Sequence, residues 1–341
     1  MPRNAPPVLT PTKGMPDDDR PPYWAAVAVF LVVLTGYVIT LAPTVTFWDA
    51  GEFIASAKIL GIPHPPGTPL FVLIAHAWAD IVRIGEYAYR TNLLSAVISA
   101  GAATLFFLVV AQSLKGWAPG RKTAGVPEAG DQVFVVGGAV AAAIASAFVF
   151  TVWQNSNETE VYMVATFSIA AICWLAWAWR RHRGTQRAPH ILLIIVYIAA
   201  VSLGNHLLAL LVGPALIGFM AFVMRRAPLP DERERRVERA QLAVVTGIWA
   251  LLIGTGMGST ALLVLGGLVF VAGAVYAAVS GTLLFTLSVL VLAAVGASTY
   301  LFLYVRAGLD PFINEADPST WDALLAVIRR EQYPPRSPLD N

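Results

Sequence analysis

The chain has 341 residues, of which 57% are hydrophobic and only 13% are charged, with a mean hydropathy of +0.66 and a formal net charge of +2. Soluble domains carry roughly 25% charged residues, so this composition excludes a soluble enzyme and a disordered tail, and the small net charge excludes a nucleic-acid-binding protein. A single cysteine, Cys173, excludes an intrachain disulfide framework and a multi-cysteine metal cluster. The sequence therefore predicts an all-α polytopic membrane protein in a lipid bilayer, with no nucleic-acid partner.

About nine apolar stretches approach the length of roughly 17–25 residues that a transmembrane helix requires. In chain order these stretches are Trp24–Leu41, Asn92–Leu114, Val133–Trp153, Val161–Trp179, Ile191–Leu203, His206–Met224, Gln241–Met257, Ser259–Val279 and Thr282–Tyr304. A further apolar stretch, Pro69–Ile84, is interrupted by His76, Asp80 and Arg83, which predicts an interfacial or re-entrant helix.

Lysine and arginine are distributed unequally between the connecting segments. If the N-terminus is cytoplasmic, the segments 1–23, 115–132, 180–190 and 225–240 hold 16 of the 23 Lys and Arg residues, as the positive-inside rule requires. We therefore expect a cytoplasmic tail over residues 1–23, a transmembrane domain over 24–305 with a first outer loop over 42–91, and an extracytoplasmic tail over 306–341. Segment 225–240 mixes both charge signs at helical spacing, which predicts a solvated, salt-bridged helix.

Several polar and ionisable residues are expected on the outer side. Such residues are costly near membrane depth and usually have a function. The set comprises Asp49, Glu52, His64, Glu158, Glu160, Asn205 and His206. These residues come from three separate segments of the chain, so their convergence on one membrane face predicts a site that opens outward.

The first outer loop carries the most informative motifs. Asp49 and Glu52 precede an apolar run at the spacing of a helix capping box, and the same pair could carry acid–base chemistry. His64 begins the rigid turn His-Pro-Pro-Gly, because prolines fix φ and glycine permits positive φ. This turn predicts either a surface histidine or a side chain held still for a site. Thr68 is expected to cap the next helix and Pro69 to begin it.

The other outer residues each have a structural alternative. Glu158 and Glu160 lie in what could be an ordinary polar connection, and Asn205 and His206 could only satisfy the ends of two helices. Arg90 opens the second span and predicts either an interfacial arginine or a phosphate clamp.

In chain order, these motifs resemble the membrane family catalogued as domain of unknown function 2723. That family is related to protein O-mannosyltransferases and belongs to the C-type glycosyltransferase (GT-C) superfamily. The resemblance covers about residues 36–335. The matching motifs are Asp49-x-Gly-Glu52-Phe-Ile, Leu60-Gly, His64-Pro-Pro-Gly-x-Pro-Leu, Arg90-x-Asn92-Leu-Leu-Ser95, Glu158-x-Glu160-Val-Tyr162, Leu203-Gly-Asn205-His206, Ile313–Trp321 and Arg330–Tyr333.

The resemblance implies a GT-C-like glycosyltransferase that takes a sugar, mannose by analogy, from a polyprenyl-phosphate carrier at the outer membrane face. The acceptor would be a protein or glycan hydroxyl. Asp49 corresponds to the general base of related enzymes, and a single displacement would invert the anomeric centre. The acids here are spaced Asp-x-x-Glu rather than adjacent, so Glu52 is expected to orient the acceptor or to tune Asp49.

The same resemblance implies roles for the remaining residues. His64 and Arg90 are expected to stabilise the departing phosphate. Asn92, Glu158, Glu160, Asn205 and His206 are expected to bind the donor.

No residue pattern requires a cofactor or a metal. The resemblance allows a divalent metal, since some superfamily members use one, and it implies a multi-pass protein of a bacterial inner membrane. The alternatives are a transporter, whose polar groups would lie near the bilayer centre, and a non-catalytic membrane subunit. An enzyme is expected to have an outer cavity lined by Asp49, Glu52 and His64.

Overall fold

The computed structural model describes residues 20–115 and 129–333, and every regular element within these two ranges is helical. Fourteen α-helices are described: α1 (Tyr23–Ile39), α2 (Ala50–Ile59), α3 (Pro69–Ile81), α4 (Tyr87–Lys115), α5 (Ala129–Ala147), α6 (Phe150–Ser156), α7 (Tyr162–His182), α8 (Arg187–Ser202), α9 (Gly213–Arg226), α10 (Glu232–Gly256), α11 (Thr260–Val279), α12 (Leu283–Ala297), α13 (Leu301–Ala307) and α14 (Trp321–Ile328). Short 3₁₀ segments cover Leu207–Val212 and Ser298–Tyr300. The expected all-α fold is confirmed.

Seven runs of helix in the described ranges are long and apolar enough to cross a membrane. They are α4, α5, α7, Leu207–Arg226, α10, α11 and Leu283–Ala307. Two further apolar helices, α1 with 17 residues and α8 with 16, occupy the first and fifth expected positions but are shorter. The chain is therefore a multi-pass membrane protein, and helices occupy all nine expected positions.

The third expected span is divided into two helices. Instead of one helix over Val133–Trp153, α5 ends at Ala147 and α6 begins at Phe150. The break lies where the Tyr37 hydroxyl donates a 2.7 Å hydrogen bond to the carbonyl of Ala147. The Phe148 ring packs against the Tyr37 ring, with centroids 5.5 Å apart.

Three apolar cores hold the helices together. The first joins α1, α4 and α5, the second joins α7 to α14, and a smaller third joins α2, α3 and the first part of α4 to the start of α7. Within the second core, α10 and α11 pack closely because glycines face the partner backbone. A Cβ at Gly254 would lie 2.9 Å from the Leu263 nitrogen, and one at Gly273 would lie 2.8 Å from the Val244 nitrogen. Large apolar side chains remain exposed along α1, α11 and α12, as expected for helices that face lipid.

The start of α10 is only partly solvated. Glu232 and Arg235 form an exposed pair, as the charge pattern predicts. Glu238, however, is buried, and its carboxylate accepts hydrogen bonds from Arg183 Nε at 2.6 Å and Nη2 at 2.7 Å. The expectation of a fully solvated helix is therefore wrong at this position, because the end of α7 packs over it.

The expected terminal tails are described only in part. Residues 1–19 of the N-terminal tail, 116–128 of the segment between α4 and α5, and 334–341 of the C-terminal tail lie outside the described residues. The described part of the C-terminal tail folds back onto the segment between α2 and α3. Ile62 pairs with Asn314, with the Ile62 nitrogen 2.8 Å from the Ile313 carbonyl oxygen. The tail therefore becomes part of the end of the bundle that carries the candidate site.

Candidate active site

Asp49 precedes α2 but does not cap it. Its backbone is helical, with φ −74° and ψ −11°, and its side chain makes no capping hydrogen bond. The predicted capping box is therefore wrong, because a capping residue needs extended backbone to turn its oxygen towards the helix N–H groups. The Asp49 side chain is exposed instead, at the end of the bundle where α2 and α7 begin.

Glu52 and His64 form a close pair. The backbone N–H of His64 donates to Glu52 Oε1 at 2.6 Å, and His64 Nδ1 lies 2.7 Å from Glu52 Oε2. The hydrogen bond to Glu52 raises the pKa of His64. Burial alone would raise the pKa of Glu52, but the hydrogen bonds from His64 lower it overall. The pair therefore favours a protonated imidazole beside an ionised carboxylate.

The turn after His64 is fixed by its backbone and by α13. Gly67 has φ +76°, and a Cβ there would lie 2.9 Å from Leu303 Cδ1, so both conformation and space require glycine. Pro69 begins α3, as expected. Thr68 does not cap it, because its φ of +32° turns the hydroxyl away and leaves Thr68 Oγ1 buried without a described partner.

Asp49, Glu52 and His64 form one cluster. Each offers one possible ligand atom, and these atoms lie within 4.8 Å of one another. Carboxylates and imidazole bind divalent cations, but a metal ligand must first lose its proton. His64 Nδ1 lies 2.7 Å from Glu52 Oε2 and the pair favours a protonated imidazole, so the described geometry fits a hydrogen-bonded pair better than a metal centre.

Glu160 and Glu158 lie beside this cluster on the connection between α6 and α7. Both side chains are buried. Burial raises the pKa of Glu160 to about 7, with smaller contributions from the charges of Glu158 and Asp49. The connection is thus a buried acidic segment next to Asp49 rather than an ordinary polar loop.

Asn92 and Arg90 form hydrogen bonds with other groups of the chain. The Asn92 amide donates to the carbonyls of Ala42 and Thr44 at 2.9 and 3.0 Å, and its oxygen accepts from Thr159 at 2.6 Å. Arg90 donates twice to the Gly85 carbonyl, at 2.8 and 3.0 Å, and once to that of Ala79, at 3.2 Å. These contacts indicate that both residues stabilise the structure at the start of α4.

Asn205 and His206 lie at the junction after α8. The Asn205 amide donates to the Val161 carbonyl at 3.0 Å, while its Oδ1 is buried without a described partner. His206 Nδ1 accepts from the Leu208 nitrogen at 3.1 Å, so the second ring nitrogen carries the proton in the neutral form. Burial, assisted by the charge of Arg330, lowers the pKa of His206 to about 4. His206 is therefore neutral at pH 7.

The tail brings a further acid to the cluster. Glu315 lies beside the paired Ile62 and within hydrogen-bonding reach of Glu52. Burial and the Glu52 carboxylate raise the pKa of Glu315. No spacing in the sequence pointed to Glu315, because its neighbours in space are more than 250 residues away along the chain.

A cavity of about 300 Å³ opens at the same end of the bundle. Trp153 and Phe150 form its apolar wall, and Glu158, Gln154 and Thr46 are among its polar residues. Thr46 Oγ1 is buried without a described partner. This cavity is lined by Glu158 but not by Asp49, Glu52 or His64, so it lies beside the cluster rather than around it.

The fold and the site define a multi-pass helical membrane protein with acids and histidines gathered between helix ends. The chain belongs to the family described as the protein O-mannosyl-transferase TMEM260 N-terminal domain, whose model matches residues 49–229. The predicted resemblance to O-mannosyltransferases is thereby confirmed.

Two relatives carry the same name. The mouse protein O-mannosyl-transferase TMEM260 is 29% identical over 180 residues, which cover 53% of this chain and 23% of that protein. The Dictyostelium discoideum protein O-mannosyl-transferase tmem260 is 31% identical over 86 residues, which cover 25% of this chain and 10% of that protein. The matched part thus spans at most about a quarter of these relatives. No solved structure matches the chain at a significant level.

The raised pKa of Glu160 predicts that the stability of the folded protein depends on pH. Its pKa is about 7 in the folded protein against a usual 4.5, so the folded state favours the protonated form. This preference stabilises the folded state by up to about 3 kcal/mol below pH 4.5, and the stabilisation is lost as the pH rises to about 7. We expect the melting temperature to fall across this range, and Glu160→Gln to reduce that fall.

Glu86→Gln is the matched control for this measurement, because Glu86 is exposed. The control should follow the wild-type curve of melting temperature against pH. If Glu160→Gln gives the same curve as the wild type, Glu160 does not titrate in this window.

Proposed function

We propose that this protein is a membrane O-mannosyltransferase that transfers mannose from a polyprenyl-phosphate carrier to a protein hydroxyl at the outer membrane face. The family and its named relatives support an O-mannosyltransferase. One observation carries the choice of base. Asp49 is an exposed carboxylate without a capping bond, and it lies within 4.8 Å of Glu52 and His64.

In the proposed reaction, Asp49 accepts the proton of the acceptor hydroxyl while that oxygen attacks the anomeric carbon. A new carbon–oxygen bond forms on one side of the sugar as the bond to the carrier phosphate breaks on the other. The products are an O-glycoside with inverted configuration and a free polyprenyl phosphate. Because there is one displacement, no covalent sugar–enzyme intermediate forms, unlike in retaining glycosidases.

Glu52 acts as a positioning residue in this proposal. Both of its oxygens are occupied by His64, which favours this role over direct contact with the acceptor. The protonated His64 balances the negative charge of Glu52 and leaves Asp49 as the carboxylate available to the acceptor.

The neighbouring polar groups are proposed to bind the sugar of the donor. Glu158, Glu160, Asn205 and His206 are buried or half-buried at the same end of the bundle. Asn205 Oδ1 is a buried acceptor without a described partner, and neutral His206 has one ring N–H to donate. Amide and imidazole groups of this kind can bind sugar hydroxyls through hydrogen bonds. Arg90 and Asn92 are assigned to the structure of the first loop, since their contacts are to the backbone and to Thr159.

The location of the polar groups favours an enzyme over a transporter. Asp49, Glu52, His64 and Glu160 lie in the segments that join the long helices, whereas a transporter places its binding groups at the middle of broken helices.

The proposed orientation, with the N-terminus in the cytoplasm and this end outside, rests on the distribution of lysine and arginine. The proposed bacterial inner membrane rests on the tail motifs Ile313–Trp321 and Arg330–Tyr333, which resemble a segment found in bacterial members of the family.

A transfer assay in oriented membranes tests both the chemistry and the orientation. Sealed right-side-out vesicles would receive a panel of polyprenyl-phosphate sugars and an impermeant Ser/Thr peptide, with products identified by mass spectrometry and the anomer by NMR. We expect mannose on the peptide with inverted configuration, and none in sealed inside-out vesicles. Transfer only in inside-out vesicles would overturn the orientation, and no transfer from any donor in open membranes would overturn the proposed function.

A further inference from the structure

Arg330 presents a buried cationic nitrogen that lacks a described partner. It follows α14, in the described part of the tail, and its backbone is left-handed with φ +59°. Its Nη2 atom is buried, and no hydrogen-bond partner for it lies within residues 20–115 and 129–333. A buried N–H without a hydrogen-bond partner costs free energy, because burial removes the water that it would otherwise bind. Such a group suits an anionic ligand that supplies the missing acceptor.

The tail holds Arg330 at the end of the bundle where the proposed site lies. Trp321 of α14 stacks on Tyr304 of α13, with centroids 4.5 Å apart and ring planes 15° from parallel. Three residues after Arg330, the Tyr333 hydroxyl donates to the Pro65 carbonyl at 2.5 Å. Pro65 directly follows His64, and the charge of Arg330 adds to the effect of burial in lowering the pKa of His206. Arg330 thus lies among the segments that carry His64 and His206.

The other cationic groups of this region already have described contacts, including exposed Lys58, whose Nζ lies 5.9 Å from the centre of the Tyr87 ring. Arg90 donates to the carbonyls of Gly85 and Ala79, and Arg306 donates to those of Leu60 and Ile59 at 2.7 and 3.0 Å. His64 is paired with Glu52. Among the described residues at this end, Arg330 is therefore the cation best placed to bind an added anion.

On the basis of the proposed function, we infer that the Arg330 guanidinium binds the phosphate of the polyprenyl-phosphate donor and of the released carrier. A guanidinium matches two phosphate oxygens with parallel hydrogen bonds and stays charged at all relevant pH values. The phosphate gains negative charge when the bond to the anomeric carbon breaks. Arg330 therefore stabilises the leaving group, a role that the sequence motifs suggested for Arg90.

Binding of a short polyprenyl phosphate to the full chain in detergent tests this inference without requiring catalysis. The corresponding polyprenyl alcohol measures the contribution of the apolar tail alone. We expect Arg330→Gln to weaken phosphate binding about 10- to 100-fold, as loss of charge-assisted hydrogen bonds predicts. Binding of the alcohol should not change. The matched control is Arg329→Gln, which removes the same charge from an exposed neighbour and should bind the phosphate as the wild type does.

A second measurement needs no variant and therefore does not depend on whether Arg330→Gln folds. Phenylglyoxal modifies arginine side chains, and the modified peptides can be identified by mass spectrometry. We expect the polyprenyl phosphate, but not the alcohol, to protect Arg330 in the wild-type protein.

Unchanged phosphate binding by a folded Arg330→Gln variant, or no protection of Arg330, would overturn the inference. These results are independent of sugar transfer. Failure of the transfer assay with intact phosphate binding would overturn the proposed function while leaving the phosphate site in place.

Discussion

Asp49→Asn is expected to lower the rate of sugar transfer by about 10²- to 10⁴-fold, the usual contribution of a general base. The substitution keeps the shape of the side chain and removes its ability to accept the acceptor proton. Because Asp49 is exposed and makes no capping hydrogen bond, the melting temperature should stay at the wild-type value. Rates would be measured with the labelled donor that the wild-type protein uses.

Asp80→Asn is the matched control, since Asp80 is an exposed aspartate on α3 with only a weak 3.5 Å contact to His76. It should transfer at the wild-type rate. Glu52→Gln provides a contrast, because loss of the pairing with His64 should lower activity and melting temperature together. If Asp49→Asn retains more than about a tenth of the wild-type rate, Asp49 is not the base.

Glu238→Gln is expected to destabilise the protein by about 3–5 kcal/mol, the typical cost of removing one partner from a buried ion pair. The side chains of Arg183 and Glu238 are only 7% and 9% exposed, so the arginine left behind cannot recover its water. The pair joins the end of α7 to the start of α10, at the end of the bundle opposite the proposed site. The change in unfolding free energy would be measured by denaturant titration in detergent.

Glu232→Gln is the control for this effect. Glu232 lies in the same helix and pairs with Arg235, but its side chain is 56% exposed. Water and salt screen such an exposed pair, so the control should remain close to the wild type. A loss below about 1 kcal/mol for Glu238→Gln would contradict the assignment of a buried structural ion pair.

Hydropathy located the helices of this protein because each span must bury apolar side chains against lipid or other helices. It could not locate the break between α5 and α6, which depends on the contacts that Tyr37 of α1 makes with Ala147 and Phe148 at the break. Nor could charge spacing distinguish Glu238 from Glu232. Both fit an exposed helix in sequence, and only the packing of α7 buries one of them.

The core of the candidate site was predictable because it is local. Asp49, Glu52 and His64 lie within 16 residues, and the rigid turn after His64 returns the chain to α2. The same local pattern misled at Asp49 itself, where the capping box is absent because the backbone is helical. Glu315 and Arg330 could not be placed from spacing, since a tail more than 250 residues away must first pair with Ile62.

The pairing of Ile62 with Asn314 also bears on how the sequences of related proteins should be compared. The family match ends at residue 229, whereas the strand-like contact and the Tyr333 hydroxyl that touches Pro65 belong to residues 313–333. A sequence comparison restricted to the matched region would include the carboxylates of the site but would leave out these contacts of the tail. A comparison that includes residues 313–333 would test whether relatives keep both contacts.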